Sequence, residues 1–280
     1  MKLTAAQIAG FEKDGYLTVP ALFARAEIEQ LRQGLDEIKT MTDRPEIVRE
    51  RTNDAVRLVY GADRFHDTWQ RLSRHPRWIE PARQLLGGDI YIHQLRINPK
   101  AAFDGQGWWW HQDYATWRFE DGMLSPRALM IGVFLNDMTA ANGPLMVIPG
   151  SQKLGHIDDT ARDHDQTGYT VMDLPRTLIE ELTRGGGVEA VTGPAGTVLF
   201  MHCNLVHGSV GNITPFERTI AYLNVASCDN PTTRLERAEW FCNRDHSPLQ
   251  TIGDDALLRQ SSKPGERGIS NPAARAPKGQ

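Results

Sequence analysis

In the first third of the chain, apolar residues recur three and four positions apart. Beyond it they alternate in short runs, so the pattern divides the sequence into a helical flank and a strand-rich core. Thr4 with Gln7 three residues on forms a capping box, which opens a helix that runs toward Asp14 and stops at Gly15. A short extended piece, 16–20, follows. From Ala26 onward Ile28, Leu31, Leu35 and Ile38 make one apolar stripe, while Glu27, Glu29, Arg32, Asp36 and Glu37 fill the other faces; such a helix packs its stripe on a sheet. Residues 42–53 read as a polar link. Residues 65–86 read as two shorter helices divided near Pro76, whose ring removes a backbone donor, and ended by Gly87-Gly88.

From Asp89 the texture changes to β-branched and aromatic runs separated by Gly, Pro and Asn, the signature of a strand-rich barrel or sandwich. The runs predict strands at 90–98, 128–136, 145–148, 196–202 and 218–226. The connection 151–193 is long for a barrel loop and carries the charged run His156 to Asp165, so part of it is expected to be mobile or lid-like. From Lys263 the chain is polar and rich in Pro, Gly and Ser, which predicts a flexible tail over 263–280. The expected organisation is α+β, mainly β: one domain over 1–262, with a helical flank over about 1–88 and a β core over about 89–230.

Composition narrows the function. With 280 residues and 40% apolar content, one large domain can bury a sizeable core. A net charge of -4 provides no basic field for nucleic acid, so the expected ligand is a small molecule. Three cysteines, Cys203, Cys228 and Cys242, fit neither a disulfide framework nor a zinc ribbon, which points to a reducing cytoplasm. The N-terminus lacks the apolar stretch of a signal peptide, and the longest apolar run, Ala128 to Leu135, is too short to span a bilayer. The oligomeric state is left open, with a homodimer among the options.

The chemistry concentrates in His111 and Asp113, answered about a hundred residues later by His207 and Arg218. Two imidazoles and one carboxylate are the ligand set of a non-haem Fe(II) site that keeps positions open for O2. If 111–113 is a strand, His111 and Asp113 share a face and Gln112 points away. Alone, a His-X-Asp triplet reads equally well as a hydrogen-bonded surface pair. Arg218, eleven residues after His207, changes the balance. A ferrous site of this type draws electrons from a co-substrate such as 2-oxoglutarate, whose far carboxylate suits a bidentate guanidinium with Ser209 adding a hydroxyl. The bland alternative for Arg218 is an ion pair with Glu217 or another acid.

The strand at 90–98 supports the same picture, because period two puts Gln94, Arg96 and Asn98 on one face and Tyr91, His93, Leu95 and Ile97 on the other. Three polar residues along one face suggest a wet cavity. Trp108, Trp109, Trp110, Tyr114 and Trp117 surround the ligand pair, and of these Tyr114 and Trp117 are chosen for a pocket that could hold a small cation by cation–π contact. Cys203 reads as a small buried hydrophobe, and His156 and His164 as solvent-facing.

The stretch Gly88 to Asn98, His111-Gln112-Asp113-Tyr114 through Thr116-Trp117 and Glu120-Asp121-Gly122-Met123, Asn142-Gly143-Pro144-Leu145, Ile148 to Ser151, and His207-Gly208-Ser209 with Pro215 and Arg218 resemble the phytanoyl-CoA dioxygenase superfamily. Within it the chain is similar to bacterial L-proline trans-4-hydroxylases and ectoine hydroxylases. The resemblance implies a double-stranded β-helix (jelly-roll, cupin-like) with flanking helices. It also implies an Fe(II)/2-oxoglutarate hydroxylase that uses O2 and releases succinate and CO2. On the matching positions it makes His111, Asp113 and His207 the iron ligands, places Arg218, Ser209, Arg96 and Asn98 on the 2-oxoglutarate side, and sets Gln94, Trp117 and Ala128 against substrate. A carboxylate at 113, where related halogenases keep a small residue, implies hydroxylation.

Departures bear on the substrate. Gln112-Asp113-Tyr114-Ala115 replaces the Ser-Asp-Phe-Glu of ectoine hydroxylases, Met201 replaces an aromatic and Ile220 an asparagine, while Arg96 and Thr116-Trp117 match them. The substrate expected is a free cyclic amino acid such as L-proline. The alternatives are ectoine, a larger natural-product intermediate, and a non-catalytic metal-binding barrel.

Overall fold

The computed structural model describes residues 1–50, 53–158, 161–163 and 171–259. The expected tail at 263–280 and His164 lie outside the described residues. The helices are α1 (Ala5–Asp14), α2 (Arg25–Lys39), α3 (Asp67–Ser73), α4 (Pro76–Leu86), α5 (Asp113–Asp121) and α6 (Arg176–Gly186). The strands are β1 (Tyr16–Val19), β2 (Ile47–Arg49), β3 (Val56–Tyr60), β4 (Ile90–Lys100), β5 (Trp108–His111), β6 (Ala128–Phe134), β7 (Leu145–Val147), β8 (Ala161–Asp163), β9 (Val171–Asp173), β10 (Glu189–Val191), β11 (Val198–His202), β12 (His207–Ser209) and β13 (Arg218–Ser227).

The Thr4/Gln7 capping box is present, and Gly15 closes α1 in the left-handed region at φ 82°. Pro76 opens α4 at its first turn, where a missing N–H costs nothing. The apolar stripe of α2 is buried as its spacing predicts. Ile28, Leu31, Leu35 and Ile38 share a core with Leu95 and Ile97 of β4, Ile131 and Val133 of β6, and Ala221, Leu223 and Val225 of β13. Among the described residues, no helix is long and apolar enough to cross a membrane.

Two antiparallel sheets face each other. One has the order β1-β11-β6-β13-β4-β3-β2 and the other β10-β7-β12-β5-β9-β8, the jelly-roll arrangement of a double-stranded β-helix. Helices α1 to α4 pack on the outer face of the first sheet, which leaves its inner face to a second core built from Tyr114 and Trp117 of α5 with Ala128, Met130, Met201 and Tyr222. The metal-site candidates stand between the sheets at the edge of this inner core.

Several features differ from the sequence expectations. The N-terminal flank contributes β2 and β3 as well as helices, and the fully buried Val56–Tyr60 run joins β4 through Val59↔Ile97 and Tyr60↔Arg96. The 151–193 connection contains β9, α6 and β10 rather than loop alone. In β4 the pairing with β13 slips between Gln94↔Asn224 and Ile92↔Val225, which makes His93 the extra residue of a bulge. One extra residue inverts the alternation, so Tyr91 turns to the inner core instead of following Leu95 outward.

Candidate metal centre and the adjoining cavity

His111 ends β5 and lies opposite His207 of β12 in the strand register, which brings the two rings to 4.2 Å between centroids. Asp113 is not in a strand as expected: it is the first residue of α5, and the chain turns into the helix after Gln112. Gln112 itself is extended (φ −116°, ψ 128°), so the alternation survives through it and Asp113 still faces inward. Gln112 points away, donating to the Asn204 and Gly155 carbonyls at 2.6 and 2.9 Å and accepting from the Ile157 N–H at 3.0 Å.

The three side chains offer ligand atoms all within 4.8 Å of one another. Asp113 Oδ1 stands 3.8 Å from His111 Nε2, and Oδ2 stands 3.7 Å from His207 Nε2. Each imidazole is oriented by its own strand, with Nδ1 on the carbonyl two residues back: Trp109 at 2.6 Å for His111 and Leu205 at 2.9 Å for His207. With Nδ1 as donor, each Nε2 presents a lone pair to the centre. Burial, reinforced by the neighbouring His111, lowers the His207 pKa to about 3, so its ring is neutral. Burial alone would raise the Asp113 pKa, but the Arg96 guanidinium and both imidazoles outweigh it and hold the carboxyl below its ordinary value. A neutral imidazole at His207 and an ionised carboxylate at Asp113 are protonation states that bind a divalent cation. The donor set and its geometry therefore fit Fe(II).

A second buried group, His93, Asp121 and Cys242, has ligand atoms at comparable spacing. It is a poor metal site. Arg237 occupies both Asp121 oxygens at 2.7 and 2.6 Å and already supplies the positive charge, while burial pushes the Cys242 thiol up to about 11 and keeps it protonated.

A cavity opens beside the His111 and His207 rings, lined also by Asn98, Trp108, Ser209 and Arg218. Arg218, 1% exposed, opens β13 and donates from Nε and Nη2 to the Gly143 carbonyl at 2.9 and 2.6 Å. It makes no ion pair with Glu217, which bonds Lys39 at 2.8 Å instead. Burial lowers its pKa to about 10, still cationic at neutral pH. Arg96, expected with 2-oxoglutarate, lines the same cavity but spends Nη2 on Asp113 Oδ2 at 2.9 Å, and so holds the ligand carboxylate. Lys100 was not among the sequence candidates. It shares the inner face two residues after Asn98 and donates from Nζ to Ser209 Oγ at 2.8 Å.

Tyr114, Trp117 and Ala128 come together in the inner core, joined to the cavity through Tyr222. Tyr114 donates its hydroxyl to the Met123 carbonyl at 3.2 Å, and Trp117 meets the His93 ring edge-on at 4.9 Å. Gln94 is buried and held by the Phe241 carbonyl at 2.8 Å and the Asn224 amide at 3.1 Å. The tryptophan run separates. A bulge in β5 sets Trp108 on the cavity beneath Arg57, Trp110 packs with the α6 cluster, and Trp109 is exposed beside Arg176. His156, expected in solvent, is largely buried, pairs with Asp158 at 2.9 Å and meets the Tyr114 ring at 5.7 Å. Cys203 is buried with its thiol pKa pushed up by desolvation, in keeping with a packing role.

His202, partly buried with Nδ1 accepting from the Asn204 N–H at 3.0 Å, has its pKa lowered by burial from 6.5 to about 4. A histidine neutral in the fold and protonated when unfolded contributes stability that is full above pH 6.5 and is lost as pH falls toward 4. Urea unfolding across this window should show a shallower acid slope for His202→Gln than for the wild type. Equal slopes would remove His202 from the account.

The family model described as phytanoyl-CoA dioxygenase matches residues 11–220. An L-proline trans-4-hydroxylase of Streptomyces griseoviridis is 36% identical over 256 residues, covering 88% of this chain and 95% of that protein. An ectoine dioxygenase of Bordetella parapertussis is 39% identical over 241 residues, covering 81% and 77%. Among solved structures, EctD from S. alaskensis with 2-oxoglutarate and 5-hydroxyectoine superposes with a TM-score of 0.78 at 33% identity, covering 89% of this chain and 87% of that one.

Proposed function

Because the chain belongs to the phytanoyl-CoA dioxygenase family, we propose that it is an Fe(II)- and 2-oxoglutarate-dependent hydroxylase of a small, free, cyclic zwitterion. The observation that carries this reading is the buried His111–Asp113–His207 cluster opening on a cavity that also presents Arg218 and Ser209. His111, Asp113 and His207 would hold the metal. Bound there with 2-oxoglutarate, iron supplies the oxidising power to convert a C–H bond and O2 into an alcohol, with succinate and CO2 released. Arg218 and Ser209 bind the far carboxylate of 2-oxoglutarate, and Asn98 offers an amide from the adjoining strand. Arg96 keeps Asp113 ionised and fixed in rotation. The inner core around Tyr114, Trp117 and Tyr222 excludes water from the reacting bond and offers aromatic faces to a ring cation, a contact worth roughly 1–2 kcal/mol when desolvated.

L-Proline is the first choice of substrate, given the proline hydroxylase relative that this chain covers almost end to end. Ectoine stands beside it, supported by the EctD superposition and by relatives of similar identity. Both present a carboxylate and a ring-borne cation. The test is incubation with Fe(II), 2-oxoglutarate and a panel of L-proline, pipecolate, ectoine and acyclic amino acids, reading succinate release and mass gain together. One cyclic zwitterion should gain one oxygen atom per succinate formed. Turnover confined to acyclic or bulky compounds would overturn the substrate class.

A further inference from the structure

On the inner face of β6 one position lacks a side chain. Ala128, Met130 and Phe134 belong to the inner core, while Gly132 between them is buried with φ outside the left-handed region, so the backbone there does not call for glycine. A glycine inside a strand costs stability and marks a close approach by a neighbour. That neighbour is on β13. Gly132 and Tyr222 are register partners, and a Cβ at Gly132 would stand 3.2 Å from Tyr222 Cε1 and 2.9 Å from Ile220 Cγ2.

Tyr222 is a wall of the cavity that His111 and His207 also line. Its ring rests against Gly132 on one side, and on the other the Arg96 guanidinium, tied to Asp113 at 2.9 Å, stands 5.1 Å from the ring centroid. A methyl group added at 132 therefore has one way to displace the ring, inward over the cavity, because Arg96 blocks a sideways retreat. Tyr222 is 3% exposed, and its hydroxyl has no hydrogen-bond partner among the described residues. Burial raises its pKa against the pull of Arg218 and Arg96, so the group remains a donor. A buried donor without a partner is costly unless a ligand brings the acceptor.

We propose that Gly132 and Tyr222 act as a paired specificity determinant: the gap at 132 fixes how far the Tyr222 ring stands back from the metal ligands, and that distance sets the largest substrate ring the cavity admits. The proposal rests on the reading of the substrate as a small cyclic zwitterion. The Tyr222 hydroxyl donates to the carboxylate of the seated substrate. Space sorts ring sizes, whereas the hydroxyl serves every ring size alike.

The experiment is calorimetric titration of L-proline, L-pipecolate and ectoine into the protein loaded with Fe(II) and 2-oxoglutarate, without O2. Gly132→Ala should weaken each six-membered ring that the wild type binds by about tenfold and the five-membered L-proline by less than about threefold, since one methylene in a fitted pocket discriminates on that order. Tyr222→Phe, which keeps the ring and removes the hydroxyl, should weaken every bound compound by about tenfold and leave the ring-size preference as it was. Tyr222→Leu takes the wall away. It should shift the preference toward L-pipecolate by about tenfold, and Gly132→Ala added to it should then move nothing, because the two sites act through one contact. A glycine kept for stability alone would lower Tm in Gly132→Ala and weaken both ring sizes equally, which overturns the proposal and leaves the hydroxylase reading standing. If Gly132→Ala does not fold, Tyr222→Leu decides: an unchanged ring-size preference overturns the proposal. A wild type that binds 2-oxoglutarate and none of the three compounds overturns the substrate class and the proposal together.

Discussion

Asp113→Ala should leave the protein unable to retain Fe(II) and lower hydroxylation by about 4 kcal/mol of transition-state stabilisation, on the order of a thousandfold. The cause is double. One of three ligands is lost from a cluster whose donor atoms lie within 4.8 Å, and Arg96, bound to Asp113 at 2.9 Å, is left as a buried guanidinium beside the two imidazoles. Its positive charge then repels the incoming cation. Because breaking a buried pair also costs fold stability, about 3–5 kcal/mol, iron content and turnover should be read with Tm. His207→Gln serves as a control, since it removes a ligand and leaves Asp113 and Arg96 paired. Both variants should lose iron. Near-normal turnover in Asp113→Ala would dismiss this cluster as the catalytic centre.

Arg218→Gln should raise KM for 2-oxoglutarate by on the order of a hundredfold, the loss of about 3 kcal/mol expected when a buried charge-assisted contact to a carboxylate is removed. The effect should fall on KM and leave kcat at saturating 2-oxoglutarate nearly intact, because Arg218 stands at the far end of the cavity from the reacting bond. Glutamine keeps one amide donor for the Gly143 carbonyl, which Arg218 now holds at 2.6 and 2.9 Å, so the turn beside it survives. An unchanged KM would place the co-substrate elsewhere.

Much of this site is legible in the chain itself because its residues obey short-range rules. His111 and Asp113 are two apart, and extended backbone at Gln112 puts both on one side even though α5 begins at Asp113. Gln94, Arg96 and Asn98 follow a period of two along β4, and α2 shows its buried stripe at helical spacing. What escapes are effects that depend on partners distant in sequence. The bulge at His93 is a mismatch between β4 and β13, and it reverses Tyr91 in a way no periodicity within β4 reveals. Val56–Tyr60 is five residues long and lacks alternation because both of its faces are covered. The inward face of Arg96 follows from its strand period, but its pairing with Asp113 depends on the α5 junction across the cavity. Lys100 looks like an ordinary strand-end cation until Arg218 is set beside it.

The most direct measurement is an anaerobic titration of the purified protein, first with Fe(II) and then with 2-oxoglutarate, followed by visible absorption and iron analysis. One equivalent of Fe(II) should bind, and 2-oxoglutarate should then raise a metal-to-ligand charge-transfer band that His207→Gln fails to develop. Tight iron binding with no band at saturating 2-oxoglutarate, or a band that persists in His207→Gln, would contradict the His111–Asp113–His207 centre as the place where co-substrate meets iron.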